Sequence, residues 1–392
     1  MIRSLRMKNS IKILFLVLLT NVLFSCHLGR YVWYGKVDLN DYKIFPSREL
    51  YANNTGNFVF SKPDTNNIDI ELDQIIQKYN WLIETRGIGE YPLDESQESF
   101  ESYIKSKETV AFLIIRRDTI LYEKYFDDYM QASVIPSFSM AKSFTSILIG
   151  CAIDDGFIKS VDEPITTYVP ELKKHGFDKV TIKNLLQMTS GIDFKESYIN
   201  PFGDVAKLYY GTNLRKQVSR FKLKSEPGEK FNYNSGDSQL LGLVLERALN
   251  NQNITHYMQV KIWSPLGMEY NGSWSLDKKK NGLEKTYCCL NASAIDFAKI
   301  GRLYLNKGNW NGQQIISEQW VNESTKIDTS NGSIDYYQYN WYVSRESFEA
   351  VGLLGQMLYV NPSKELIIVR LGKDRKNIRW DLISEAISLS FE

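Results

Sequence analysis

Four serine–lysine pairs in this chain have a spacing that could place a hydroxyl beside an amine. A serine three residues before a lysine lies one helical turn away, so the two side chains can touch. An amine that has lost its proton can accept the serine proton, and the serine oxygen can then attack an acyl carbon. The pairs are Ser102/Lys105, Ser139/Lys142, Ser219/Lys222 and Ser275/Lys278. Spacing alone does not choose among them, because both residue types are common.

The surroundings of Ser139 and Lys142 differ from those of the other pairs. From Pro136 to Gly156, apolar residues recur at three- and four-residue steps, which predicts a buried helix that begins near this pair. Burial disfavours the charged form of an amine, and the positive end of a helix dipole acts in the same direction. The pKa of Lys142 should therefore fall. The other three pairs lie among charged residues or in a basic stretch, and we interpret them as surface positions.

The sequence lacks the motifs that other hydrolytic mechanisms use. The three histidines, His27, His175 and His256, have no recognisable catalytic context, and no G-x-S-x-G turn accompanies them. The sequence has no H-E-x-x-H, no histidine pair at helical spacing and no phosphate-binding glycine loop. We therefore expect no metal and no organic cofactor. If the chain is an enzyme, its base should be a residue other than histidine.

A second candidate element is the polar loop that leads from Pro227 to Asp237. It carries Tyr233 just before a helix predicted to begin near Ser238. A phenol beside a lysine can relay a proton to a leaving group. Taken alone, Tyr233 is more often a packed aromatic residue, since the chain has 24 tyrosines.

Size and charge set broad limits on function. The chain has 392 residues, a hydrophobic fraction of 43%, an aromatic fraction of 13% and a formal charge of +1. These values allow a large buried core, in more than one domain or in one enzyme domain with insertions. Since no basic block is present, nothing indicates a nucleic-acid partner.

The N-terminus indicates export. Four basic residues up to Lys12 precede an apolar run over residues 13–19, which is too short to span a bilayer comfortably. Cys26 follows Leu23-Phe24-Ser25, which resembles the lipobox of bacterial lipoproteins. We expect a lipoprotein-type signal peptide over residues 1–26, a lipid on Cys26 and a membrane-anchored position in the bacterial cell envelope. An uncleaved anchor or a plain signal peptide is the alternative.

The remaining cysteines suggest no metal site. They are Cys151, Cys288 and Cys289, an odd number without metal-ligand spacing. Adjacent cysteines rarely pair with each other, so the expectation is buried free thiols.

Periodicity along the chain predicts strands at both ends and helices between them. Residues 27–100 read as an extended leader that wraps the domain, with a helix around 70–85. A hairpin is expected over 109–115 and 119–125, and a mostly helical insertion over about 160–300. Further strands are expected at 339–343, 355–360 and 366–371, followed by a helix over 378–389. The fold class is therefore α+β, with one sheet built from both chain ends.

The ordered motifs resemble the serine β-lactamase-related family. That family includes class C β-lactamases, D-alanyl-D-alanine carboxypeptidases, class VIII-type esterases and 6-aminohexanoate-dimer hydrolases. S-M-A-K, followed by S-F-T-S, is similar to its active-site helix, and Tyr233-Asn234-Ser235 to its Tyr-x-Asn motif. Further short segments at residues 161–164, 169–172, 181–191 and 293–301 resemble family segments and occur in the same order as in the family.

The resemblance extends over residues 105–375 and implies a fold and a mechanism. The implied fold is the β-lactamase/transpeptidase type, with an antiparallel sheet flanked by helices and a hydrolase domain over 101–392. Ser139 would be the nucleophile, Lys142 its base and Tyr233 the proton relay. Ser235 stands in place of the family's asparagine, and its hydroxyl can still bond Lys142 or a substrate amide.

The third family motif is altered here. Leu353 stands where the family carries the lysine or histidine of Lys-Thr-Gly or His-x-Gly, while Gly355 matches and Gln356 follows. The resemblance implies an oxyanion hole made by the backbone N–H groups of Ser139 and Gln356. It implies an esterase or amidase acting on a small substrate. The alternatives are D-alanyl peptide or β-lactam hydrolysis, or an inactive family member that binds ligands in the envelope.

Overall fold

The computed structural model describes residues 27–52, 58–62, 68, 70–89, 93, 99–250 and 252–391. The predicted signal segment, with Cys26, lies outside the described residues. Within the described ranges, no helix is both long enough and apolar enough to cross a membrane.

The strands of the described ranges are numbered here in chain order. They are β1 (Ser47–Leu50), β2 (Thr109–Arg116), β3 (Thr119–Tyr125), β4 (Ile135–Pro136), β5 (Gly272–Ser275), β6 (Leu290–Ala292), β7 (Asn309–Trp310), β8 (Gln313–Gln314), β9 (Tyr337–Gln338), β10 (Trp341–Val343), β11 (Phe348–Val351), β12 (Met357–Asn361) and β13 (Leu366–Gly372).

The α-helices of the same ranges are numbered likewise. They are α1 (His27–Tyr34), α2 (Leu72–Arg86), α3 (Phe100–Ser106), α4 (Met140–Asp154), α5 (Ile182–Leu186), α6 (Asp204–Tyr210), α7 (Leu214–Val218), α8 (Ser235–Ala248), α9 (Ile254–Met258), α10 (Ala294–Leu305), α11 (Glu318–Thr325) and α12 (Trp380–Ser388).

The main sheet joins the two ends of the chain. Its order is β3-β2-β13-β12-β11-β10-β9, and every neighbouring pair is antiparallel. Ile114 on β2 lies opposite Ile368 on β13, in the interior of the sheet. The prediction of an antiparallel sheet built from both ends is confirmed.

The central strands are apolar on both faces because helices cover both sides. On one side α2, α3 and α12 pack over Ile114 and Ile368, with Tyr79 and Ile383 in the same core. On the other side α4, α8 and α10 belong to a larger core that faces the functional region. Every residue from Met140 to Ala152 on α4 is buried, as the apolar spacing predicted.

Two predicted strands begin later than expected. Tyr339 and Asn340 have φ values of 38° and 67°, and this left-handed turn delays β10 until Trp341. Residues Leu353–Gly355 form a 3₁₀ turn with Leu354 at φ 63°, so β12 begins at Met357. The spacing of apolar residues does not predict such left-handed turns.

The predicted leader has defined elements of its own. Helix α1 packs against α6, where the Arg30 guanidinium donates to the Tyr210 carbonyl at 3.2 Å and the Tyr210 hydroxyl donates to the Gly35 carbonyl at 3.1 Å. Strand β1 pairs with β5 at the edge of a second sheet of order β1-β5-β6-β4. Residues 27–50 therefore pack onto the predicted helical insertion.

The prediction of free thiols at Cys288 and Cys289 is wrong. The two form a disulfide, whereas Cys151 is a buried free cysteine. Adjacent side chains diverge in extended backbone, but Cys289 takes a left-handed φ of 71° that interrupts the extended geometry and lets the sulfurs meet.

Candidate active site

Ser139 sits at the junction between a strand and a buried helix. Strand β4 ends at Pro136, Phe138 turns the chain with a φ of 45°, and Ser139 is the N-cap of α4. Its hydroxyl therefore lies at the end of the helix where unpaired backbone N–H groups favour negative charge.

Lys142 is one turn further along and almost completely buried. Its Nζ lies 3.1 Å from Ser139 Oγ, 3.3 Å from Ser235 Oγ and 2.9 Å from the Tyr287 carbonyl oxygen. Burial lowers the pKa of Lys142 to about 8, although the nearby Glu196 carboxylate acts in the opposite direction. The predicted contact and the predicted direction of the pKa shift are both present. An amine with this pKa can exchange protons near neutral pH.

The remaining serine–lysine pairs lack this environment. Ser102 on α3 is exposed, and Ser219 lies half-buried after α7 with Lys222 exposed. Ser275 is fully buried on β5, so the surface interpretation is wrong for that residue. The strand contributes Ser275 to a buried polar cluster, in which the Asn291 side chain donates to its hydroxyl at 3.3 Å.

Tyr233 comes from the loop before α8. Its phenol hydrogen-bonds the Ser139 hydroxyl, and burial raises the pKa of Tyr233 above its usual range. Lys142 Nζ lies 5.1 Å from the centre of the Tyr233 ring. Ser139, Lys142 and Tyr233 are thus brought together although the loop and α4 are far apart in the sequence.

Helix α8 begins earlier than predicted, at Ser235. The Asn234 side chain accepts from the Asp237 N–H at 2.7 Å, which is an N-cap bond. The Asn-Ser-Gly-Asp sequence carried this signal, since asparagine is a favoured N-cap. The cap places Ser235 in the first turn, where its hydroxyl meets Lys142.

Glu196 is a site residue that the sequence did not reveal. The Ser235 hydroxyl donates to Glu196 Oε1 at 2.7 Å, and the Ser235 N–H donates to Oε2 at 2.8 Å. The Tyr198 hydroxyl also donates to Oε1, at 2.7 Å. Glu196 lies in a loop without apolar periodicity, so no pattern pointed to it.

The residues of the third motif are divided between two cavities. Leu353 lines the same cavity as Ser139 and Ser235, whereas Gly355 and Gln356 line a cavity beside α12. The Gln356 side chain accepts from the Gly372 N–H at 2.7 Å and donates to the Pro136 carbonyl at 3.4 Å. Gln356 thereby links β12 and β13 to the strand that precedes Ser139.

Arg370 on β13 holds the turn that contains this motif. Its guanidinium is fully buried and donates to the carbonyls of Leu354 and Gly355 at 2.8 and 2.9 Å. It also donates to the carbonyls of Lys107 and Asp374, both at 2.9 Å, and stacks over Trp380. Burial lowers the pKa of Arg370 to about 9.

The cavity beside Ser139 has a volume of about 330 Å³ and mostly apolar walls. One side is formed by the N-terminal segment, and the rest by the Ser139 loop, α6 and the third motif. The lining residues are Tyr31, Gly35, Lys36, Val37, Phe138, Ser139, Tyr198, Ile199, Val205, Ala206, Tyr209, Tyr210, Ser235, Tyr287, Cys288 and Leu353. Among the described residues, no group of three His, Cys, Asp or Glu side chains is arranged to hold a metal ion.

Comparisons with known proteins identify the family. The Beta-lactamase family model matches residues 98–380. The 6-aminohexanoate-dimer hydrolase of Paenarthrobacter ureafaciens is 24% identical over 311 residues, covering 72% of this chain and 77% of that protein.

Solved structures show the same fold. A Bacillus anthracis protein assigned as a 6-aminohexanoate-dimer hydrolase superposes with a TM-score of 0.74 at 23% identity, over 88% of this chain and 90% of that one. A family VIII carboxylesterase gives a TM-score of 0.57 at 14% identity, over 82% and 98% of the two chains. The chain belongs to the β-lactamase family of serine hydrolases.

Proposed function

We propose that this protein is an exported hydrolase that cleaves small esters or amides through an acyl-enzyme. The observation that carries the proposal is the 3.1 Å contact between Ser139 Oγ and the buried Lys142 Nζ, with the Tyr233 phenol on the same hydroxyl. A lysine with a pKa near 8 supplies the neutral amine that this chemistry needs.

The proposed reaction has two halves. The Ser139 oxygen bonds to the acyl carbon while its proton passes to Lys142 Nζ, and the backbone N–H of Ser139, at the N-terminus of α4, binds the oxyanion. The Gln356 N–H, which the family resemblance assigned to the same role, donates to the Leu353 carbonyl at 3.4 Å in this structure. The proton then reaches the leaving group through Tyr233 as the bond to that group breaks. In the second half, water gives a proton to Lys142 Nζ as its oxygen attacks the acyl carbon. The bond from that carbon to Ser139 Oγ then breaks, the proton returns to Ser139, and the carboxylic acid leaves.

The cavity supports an uncharged, apolar acyl group as the substrate. Leu353 presents an aliphatic side chain where a substrate carboxylate would need a cation, and Val37, Phe138 and Ile199 extend the apolar wall. Burying a carboxylate against this apolar wall is unfavourable unless a cation pairs with it, and Lys36, the lysine among the lining residues, is exposed. This favours neutral esters and amides over D-alanyl peptides and β-lactams. The 6-aminohexanoate-dimer hydrolase relative supports cleavage of an amide, although its named substrate carries charged ends.

Covalent labelling tests the proposal. A fluorophosphonate should add to the wild type once, at Ser139, and Ser139→Ala should abolish the adduct. Ser146→Ala is the matched control, because Ser146 is buried two turns after Ser139 on the same helix and its hydroxyl makes no hydrogen bond to Lys142. Intact mass and peptide mapping give the result. An unlabelled, folded wild type that also fails to hydrolyse nitrophenyl esters would support the inactive envelope binding protein instead.

Substrate preference is tested in the same preparation. Nitrophenyl butyrate should be hydrolysed with a higher kcat/KM than a chromogenic cephalosporin. Leu353→Lys should raise the cephalosporin rate relative to the ester rate, because the new cation can bind the carboxylate of the cephalosporin. A wild type that prefers the cephalosporin would reverse the assignment to β-lactamase activity.

The membrane anchor is also part of the proposal. The basic residues, the short apolar run and the sequence before Cys26 support cleavage at this cysteine and lipidation of its sulfur. Mass spectrometry of the exported chain should find a lipidated N-terminus at Cys26. An unmodified Cys26 within an intact N-terminus would contradict the anchor.

A further inference from the structure

We propose that Glu196 is a positioning residue for the base: by fixing the proton of Ser235, it turns the lone pair of Lys142 toward Ser139. The inference rests on the proposed function, in which neutral Lys142 accepts the Ser139 proton. It assigns the loop around Glu196 a part in proton transfer although the carboxylate does not contact Ser139.

Three oxygen atoms surround Lys142 Nζ. They belong to Ser139, Ser235 and the Tyr287 carbonyl, at 3.1, 3.3 and 2.9 Å. A protonated lysine can donate to all three. A neutral amine has only two N–H groups, and its lone pair must point toward the third oxygen. Catalysis requires that this third oxygen be the one on Ser139.

Two of the three oxygens are restricted to accepting. The Tyr287 carbonyl has no proton to give. The Ser235 hydroxyl directs its proton to Glu196 Oε1 at 2.7 Å, and the Ser235 N–H fixes the other carboxylate oxygen at 2.8 Å. The amine therefore donates to Tyr287 and Ser235, and the lone pair is left for the Ser139 proton. Without the carboxylate, the Ser235 hydroxyl can donate to the amine and compete with Ser139.

Glu196 also acts on Lys142 through its charge. The titratable groups that face Lys142 are Glu196 and the phenols of Tyr233 and Tyr287, and Tyr198 bonds the carboxylate itself. Burial raises the pKa values of all three tyrosines, so these phenols stay neutral while Lys142 titrates. The carboxylate stabilises the ammonium form and raises the pKa of Lys142 against the effect of burial. Removing the charge should lower this pKa.

The inference predicts two separable effects of Glu196→Gln. The acid limb of kcat/KM should move to lower pH by about one unit, since a nearby opposite charge is lost. The alkaline plateau of kcat should fall by about 10- to 100-fold, because the amine is misdirected, with KM little changed. Glu229→Gln, which removes an exposed carboxylate from another loop, should change neither quantity.

A double-mutant cycle with Ser235→Ala isolates the orienting effect. In the Ser235→Ala background, Glu196→Gln should still shift the acid limb of kcat/KM to lower pH. It should no longer lower the alkaline plateau of kcat, because the competing hydroxyl is gone. An equal loss of plateau activity in both backgrounds, or a Glu196→Gln profile that matches the wild type, would overturn the inference.

A readout independent of turnover separates this inference from the proposed function. The ¹³Cε resonance of Lys142, assigned by its absence in Lys142→Arg, reports the titration of the amine directly. Its midpoint should lie lower in Glu196→Gln than in the wild type, even if no substrate is turned over. An unchanged midpoint in a folded variant, judged by an unchanged Tm, would contradict the role of Glu196 while leaving Ser139 labelling unaffected.

Discussion

Replacing Lys142 with alanine is expected to lower kcat/KM for ester hydrolysis by about 10³-fold and to remove the acid limb of the pH profile. The pKa of Lys142 is lowered to about 8 by burial, so the amine is mostly protonated below that pH and mostly neutral above it. Only the neutral form can accept the Ser139 proton. Wild-type activity should therefore rise with pH through about 8, and a series of kcat/KM measurements from about pH 6 to about pH 10 would show it.

Two controls distinguish a base from a structural cation. Lys142→Arg keeps a positive charge and cannot lose its proton, so it should be as inactive as the alanine variant. Lys285 is a second buried lysine, with a pKa lowered to about 7 by burial, and it donates to the Tyr209 carbonyl at 2.7 Å rather than to Ser139. Lys285→Met should leave the acid limb of the kcat/KM profile unchanged. An active Lys142→Arg enzyme would refute the assignment of Lys142 as base.

Replacing Arg370 with leucine should lower the free energy of unfolding by about 4 kcal/mol, since four backbone carbonyls lose one fully buried donor at once. The carbonyls of Leu354, Gly355, Lys107 and Asp374 all accept from this guanidinium, which is fully buried. Chemical denaturation followed by tryptophan fluorescence would measure the change.

The matched control is Arg117→Leu at the end of the β2–β3 hairpin. Arg117 is exposed and pairs with Glu365 at 2.7 Å, so its loss should cost less than about 1 kcal/mol. Gly355→Ala tests the same contact by changing the turn and leaving Arg370 in place. Gly355 has a φ of 82°, and an added Cβ would lie 2.2 Å from Arg370 Nη1. An Arg370→Leu protein as stable as Arg117→Leu would show that the buried bonds contribute little.

The sequence predicted the parts of the fold and site that depend on local spacing. The three-residue step placed Ser139 against Lys142, and the apolar period placed both at a buried helix. Continuous β-rich apolar runs predicted β2 and β13, and the resemblance to the family gave Tyr233 its role. Each of these signals lies within a few residues or within an ordered motif.

The features that sequence did not predict depend on contacts between distant, irregular segments. Glu196 reaches Ser235 from a loop 39 residues away, where nothing in the local pattern marks the carboxylate. Arg370 lies on a strand that reads as apolar, and its partners are backbone carbonyls that carry no sequence signal. The disulfide depends on one left-handed residue, Cys289.

Part of the wall of the cavity beside Ser139 comes from residues that precede the family match. The family match begins at residue 98, whereas Tyr31, Gly35 and Val37 line the space beside Ser139. Cleavage of the chain just after Val37 would keep β1, α2, the nucleophile, its base and the relay, but would open the acyl pocket to solvent. Such a trimmed enzyme should lose discrimination between acyl chain lengths before it loses reactivity. In the proposed mechanism, the part of the chain that performs the chemistry is therefore shorter than the part that selects the substrate.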